Sequence, residues 1–173
     1  MRRLLGRKSV TIIAAIISLT AIPAAGIVAT ATPAPAVASV RICLPNFTQG
    51  CVGAATLNNG DKVVLVASHG GRLINELPQG YTCCGGYHVC RLQFNAAPSQ
   101  CVGVTSLLTI TLRDCSGGNS NNTNWAKKPQ SDGSVKWYSP TTLEDLTSHD
   151  IIGEQLFSEE DGCDLSCFQR WNN

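Results

Sequence analysis

The chain repeats itself, and that limits what it can become. Ile42-Cys43-Leu44, a short polar run and Cys51-Val52-Gly53 form one block; Val89-Cys90-Arg91, a similar run and Cys101-Val102-Gly103 form a second. The two Cys-Val-Gly triplets stand 50 residues apart. Each leads through turn-forming residues to a strand-like segment, Lys62-Val63-Val64-Leu65-Val66 in one and Leu108 to Arg113 in the other. A third copy is more diverged. Val135-Lys136-Trp137-Tyr138 matches the opening strand, Leu143-Glu144-Asp145 falls at the triplet, and Gln155-Leu156-Phe157 takes the second strand. The second and third blocks close on Thr123-Asn124-Trp125 and Gln169-Arg170-Trp171; in the first, Ile74 to Leu77 lies near that place. A repeat of roughly 45 residues means copies of one supersecondary unit that bury a shared core.

The unit is built of strands. Thr109 to Arg113 alternates polar and apolar residues, as a half-buried strand does. The connectors Asn58-Asn59-Gly60-Asp61, Gly117-Gly118-Asn119-Ser120 and Ser131-Asp132-Gly133 are turn formers. Leu143 to Leu156 is the one stretch that reads as a short helix. Short strands at regular spacing must hide their edges, which predicts a closed or near-closed all-β barrel. The repeats run roughly over 40–86, 87–132 and 133–173.

Residues 1–38 are read as a secretory signal peptide. Four positive charges in the first nine residues precede an apolar run from Val10 to Ala29 and a small-residue ending at Ala36-Val37-Ala38. Left uncleaved, that run could serve as an anchor. The remaining 135 residues suit one domain with one core. They carry 9 Lys+Arg against 12 Asp+Glu, so a nucleic-acid partner is not expected. No other apolar run reaches the ~20 residues of a membrane span, so no membrane contact is expected once the leader is gone. All nine cysteines follow the leader, and export favours disulfides. Nine is odd, which leaves at least one thiol free or bonded outside the chain and offers a route to a homodimer.

Three such repeats, with a Cys-Leu/Val-like core step, Gly-rich turns and a Gln-x-Trp ending that is intact at Gln169-Arg170-Trp171, resemble the ricin-B-type lectins. The likeness spans essentially 40–173 and is strongest over Gln100–Trp125 and Gln169–Trp171. It implies a β-trefoil, a threefold pseudo-symmetric barrel; Kunitz-type inhibitors share that shape. It also implies a disulfide joining the early core step to the end of the next strand, here Cys101 to Cys115. In the family, an aspartate after the core step binds vicinal sugar hydroxyls, and a glutamine and an aromatic of the next strand add a contact and a stacking platform. Carried over, the resemblance leaves repeat one without a site, with Gly53, Val64 and Val66, and likewise repeat two, with Gly103, Thr111 and Arg113. Repeat three matches with Asp145, Gln155, Phe157 and Gln169, although Phe168 replaces a polar residue. These four are the expected carbohydrate-binding residues, and no cofactor is implied.

Other chemistries find less support. Cys83-Cys84-x3-His88-x-Cys90 holds metal-ligand residue types, but this stretch lacks the paired Cys-x2–4-Cys spacing usual in zinc sites, and disulfides suit an exported chain better. Cys163 and Cys167 could close a small loop. Asp114-Cys115-Ser116-Gly117-Gly118 is like a serine-protease motif interrupted by cysteine, and no Gly-x-Ser-x-Gly or His-Glu-x-x-His occurs. The reading is a secreted lectin-like module that is not an enzyme. The alternative is a sugar-blind trefoil acting through protein contacts, such as an inhibitor of an extracellular hydrolase.

Overall fold

The computed structural model describes residues 37, 39–45, 50–116, 120–160 and 169–172. The expected leader (apart from Val37), Cys163, Cys167 and Phe168 lie outside the described residues. Eleven strands follow one another: β1 (Ser39–Val40), β2 (Cys51–Ala54), β3 (Val63–Val66), β4 (Ile74–Cys83), β5 (Tyr87–Phe94), β6 (Gln100–Val104), β7 (Ile110–Asp114), β8 (Asn124–Pro129), β9 (Val135–Ser139), β10 (Glu144–Thr147) and β11 (Phe157–Glu159). Two one-turn 3-10 helices, Ser68–Gly70 and Ser120–Thr123, are the only helical segments among the described residues. The helix expected between Leu143 and Leu156 is not formed. Glu144–Thr147 is strand β10, and each of its residues faces a strand partner in β9 or β11.

Every strand pairing is antiparallel, and the pairings repeat three times. Val40 faces Ile74, Cys90 faces Trp125 and Val135 faces Trp171 where each repeat's first strand meets its last. The hairpins β2–β3, β6–β7 and β10–β11 meet in a ring. Lys62 bridges to Thr111, Thr109 to Phe157 and Gln155 to Val64, so each hairpin touches both others. Backbone bonds follow the same cycle: Leu112 N–H donates to the Asp61 carbonyl, Ile110 N–H to Leu156 and Leu65 N–H to Glu154. The fold is a β-trefoil.

The core follows the alternation of the strands. Ile42, Leu92 and Trp137 occupy one layer, each two residues after Val40, Cys90 or Val135, and all are fully buried. Val52, Val102 and Leu146 form another. Trp125 and Trp171 are fully buried, and their indole N–H groups donate to the carbonyls of Val102 and Leu146 at 2.9 and 3.0 Å. In the first repeat Ile74 has no such donor. The Arg72 backbone N–H reaches the equivalent Val52 carbonyl instead, at 3.3 Å. A buried carbonyl needs a partner, and the backbone supplies what the indole does elsewhere.

Replacing Trp125 or Trp171 by alanine removes a buried ring and an internal hydrogen bond. Either change is expected to cost about 3–5 kcal/mol, read from urea unfolding. Phenylalanine in the same place should recover most of that loss.

Candidate functional site

Pairing register settles which residues are equivalent. Val52 faces Leu65, Val102 faces Leu112 and Leu146 faces Ser158. Gly53, Gly103 and Thr147 are therefore equivalent, as are Cys51, Cys101 and Asp145. The third repeat is displaced by two residues from its sequence alignment, which set Asp145 against the glycines. The reason is burial: that alignment puts Glu144 where Val52 and Val102 fill the core. In the structural register Phe157 corresponds to Val64 and Thr111, Gln155 to Lys62 and Thr109, and Glu159 to Val66 and Arg113.

The four expected sugar contacts do not converge on one opening. The Asp145 side chain is 0% exposed. Lys136 Nζ lies 3.5 Å from its Oδ2 and Lys128 Nζ 4.0 Å from its Oδ1. Gln169 joins this cluster. Its Oε1 accepts from Lys136 at 3.1 Å, and its Nε2 donates to the carbonyls of Glu160 and Glu159 at 2.7 and 3.2 Å. Gln155 lies elsewhere, donating to the Ile110 carbonyl at 3.0 Å within the hairpin ring. Phe157 is half-buried, its ring centred 4.5 Å from that of His149. Asp145 thus occupies a half-cystine position and neutralises buried lysine rather than facing solvent.

The two glycines that the sequence alignment set against Asp145 have no open space beside them. A Cβ on Gly53 would lie 2.7 Å from Val66 Cγ2, and one on Gly103 would lie 2.5 Å from Arg113 Cγ. Glycine stands there because the next strand's side chain lies across it. Cys101 is bonded to Cys115, and Cys43 to Cys51. Sequence reasoning missed the second pair, whose eight-residue spacing was its one signal. In the Cys83–Cys90 stretch the adjacent Cys83 and Cys84 thiols touch at the surface, while Cys90 is buried.

An open cavity of about 350 Å³ is lined by residues of all three repeats: Tyr81, Asn124, Pro140 and Thr141. Tyr81 comes from the extended end of β4 and is 47% exposed. Its hydroxyl accepts from Asn124 Nδ2 at 3.0 Å. Asn124 is nearly buried in β8, and Arg91 Nε donates to its Oδ1 at 3.3 Å. Arg91 is fixed in turn by Nη1 on the Cys115 carbonyl at 2.6 Å. A chain from Arg91 through Asn124 thus holds an exposed phenol in place. Pro140 and Thr141 arrive on the β9–β10 turn. Sequence reading did not find this cavity, because its lining residues come from three separated segments.

Neither a protein-family model nor a curated protein matches the sequence. Solved structures do match in fold. A mosquitocidal holotoxin aligns with a TM-score of 0.66 at 14% identity, over 78% of this chain and 17% of that one. This chain thus spans about a sixth of that toxin's length. ThreeFoil, a designed threefold-symmetric protein, aligns with a TM-score of 0.62 at 14% identity, over 76% of this chain and 95% of its own. The cytolethal distending toxin of Haemophilus ducreyi gives a TM-score of 0.59 at 12% identity, over 76% of this chain and 80% of that one. Similarity at this identity concerns the fold.

Asp145→Asn tests what the carboxylate does. Removing one partner of a buried ion pair leaves the lysines uncompensated, which costs about 3 kcal/mol. The urea midpoint is expected to fall accordingly. An unchanged midpoint would mean that the carboxylate does not hold the third repeat together.

Proposed function

We propose that this chain is a secreted carbohydrate-binding module of the ricin-B lectin kind, without catalysis, that takes its sugar in the Tyr81 cavity. One observation carries the reading: an exposed phenol, its hydroxyl held by a nearly buried amide, at the edge of a cavity of about 350 Å³. The ring offers a flat apolar surface to the C–H face of a pyranose. Because Tyr81 Oη accepts from Asn124, its own proton is left to donate to a sugar hydroxyl. Thr141 lines the same cavity. The volume falls within the range of small-ligand sites. One shallow site of this kind gives millimolar affinity, about −4 kcal/mol.

The filled positions at Gly53 and Gly103 favour a second reading, a sugar-blind trefoil that acts by contact with another protein. Leu107 and Leu143, 82% and 65% exposed, would then belong to the contact surface.

A glycan array followed by calorimetry separates the two. The first reading expects reproducible binding to one sugar class. Tyr81→Phe should weaken it about fivefold, the worth of one hydrogen bond of about 1 kcal/mol, and Tyr81→Ala by more than tenfold, with near-UV circular dichroism otherwise unchanged. No binding across a broad panel gives the protein-contact reading the lead.

A further inference from the structure

The β4–β5 hairpin projects a pair of adjacent thiols. Cys83 ends β4 and Cys84 opens the turn Cys84-Gly85-Gly86 before Tyr87. The two glycines have φ of +97° and +92°, and Gly86 N–H donates to the Cys83 carbonyl at 3.0 Å. Cys84 itself has φ +55°, a left-handed conformation that glycine would adopt without strain. The chain nevertheless places a thiol there, exposed at the tip and in contact with the thiol of Cys83.

Nine cysteines cannot all pair within one chain. Cys43–Cys51 and Cys101–Cys115 account for four. The described thiols left are Cys83, Cys84 and Cys90. Cys90 is buried on the same hairpin, and burial, aided by the Glu76 carboxylate, pushes its pKa up to about 12. Cys83 is half-buried, and burial, then its contact with Cys84, pushes it up to about 12. Thiolates rather than thiols attack disulfides, so neither is a competent nucleophile near neutral pH. Cys84 is the exposed member of the three.

We propose that the Cys83–Cys84 dithiol at this tip is a covalent docking site for a second copy of the chain, joined Cys84 to Cys84. The surroundings suit self-contact. Gln79 to His88 contains no Lys, Arg, Asp or Glu, so two tips meet without like-charge repulsion. Tyr87 beside the turn supplies an aromatic face, a residue type enriched in interfaces. In a twofold pairing the same patch meets itself, so one tip on each copy supplies both sides of the contact. The chemistry is thiol–disulfide exchange with a low-molecular-weight disulfide as oxidant. The Cys84 thiolate attacks one of its sulfurs and expels a small thiolate, which takes up a proton. The Cys84 thiolate of a second copy then attacks the Cys84 sulfur of this mixed disulfide and expels the second small thiolate. Two protein thiols become one disulfide, and the small disulfide is reduced to two thiols. Cys83, held as a thiol, does not displace the bond from its neighbour. Tyr81 lies three residues back, roughly 10 Å along the strand, so the dimer would present two of its cavities.

The test is non-reducing electrophoresis and light scattering of the purified full chain in a buffer of reduced and oxidised glutathione. It depends neither on export nor on sugar binding. Wild type, Cys83→Ser and Cys90→Ser are expected to give a species of twice the mass that dithiothreitol returns to monomer. Cys84→Ser and Cys84→Gly, the latter free of backbone strain, should reduce that species at least tenfold. Peptide mapping should find a Cys84–Cys84 cross-link. The proposal is overturned if either Cys84 variant dimerises like wild type. It is equally overturned if wild type stays monomeric, or if mapping joins Cys84 to Cys83, Cys163 or Cys167.

Discussion

No hairpin of this protein has a second layer of its own; each depends on the two others to close its edges. The cycle of Lys62 with Thr111, Thr109 with Phe157 and Gln155 with Val64 provides that closure. Unpaired strand edges are costly when buried and hazardous when exposed. Once the ring closes, the remaining geometry is constrained. It fixes which face of each strand looks inward, and so makes Val52, Val102 and Leu146 a core layer whose carbonyls need donors. Two of those donors are indoles and one is backbone, which shows that the requirement belongs to the fold and not to tryptophan.

Much of this was legible in the residues. The Cys-Val-Gly triplets, the alternation of Thr109–Arg113 and the two tryptophans were enough to predict three strand-built units around one core. Reading failed where the repeat lost its markers. The third copy has no cysteine at the core step and reaches it one residue sooner, eleven residues from Val135 to Leu146 against twelve from Cys90 to Val102. Matching Asp145 to a glycine put Glu144 into the core, and that clash was itself a warning: a core layer of Val and Val accepts Leu146 far more readily than an unpaired carboxylate. Periodicity could have located the register that resemblance to a sugar-binding aspartate obscured.

The Tyr81 cavity was illegible for a different reason. Tyr81, Asn124 and the Pro140-Thr141 turn are separated by some forty residues and by fewer than twenty, and no local pattern announces their meeting. They converge because β4 runs on past the barrel and the β9–β10 turn rises beside it. The positions that sequence comparison favours are occupied from within: Val66 over Gly53, Arg113 over Gly103, and lysine around Asp145. In the proposed reading the site therefore lies where repeats meet, where pseudo-symmetry imposes least on the choice of residue, rather than within one of them.

The substitution of Asp145 for a half-cystine also divides the molecule by its response to its surroundings. Cys51 and Cys101 anchor the first two repeats through bonds that a reductant can cut. At the same station the third repeat is held by a carboxylate among ammonium groups, which no electron donor affects. A reducing medium therefore acts on the first two lobes and spares this anchor of the third. Salt has little purchase on it either, because screening ions cannot enter a site this deeply buried. One barrel thus has two kinds of fastening, and the environment that loosens one leaves the other in place.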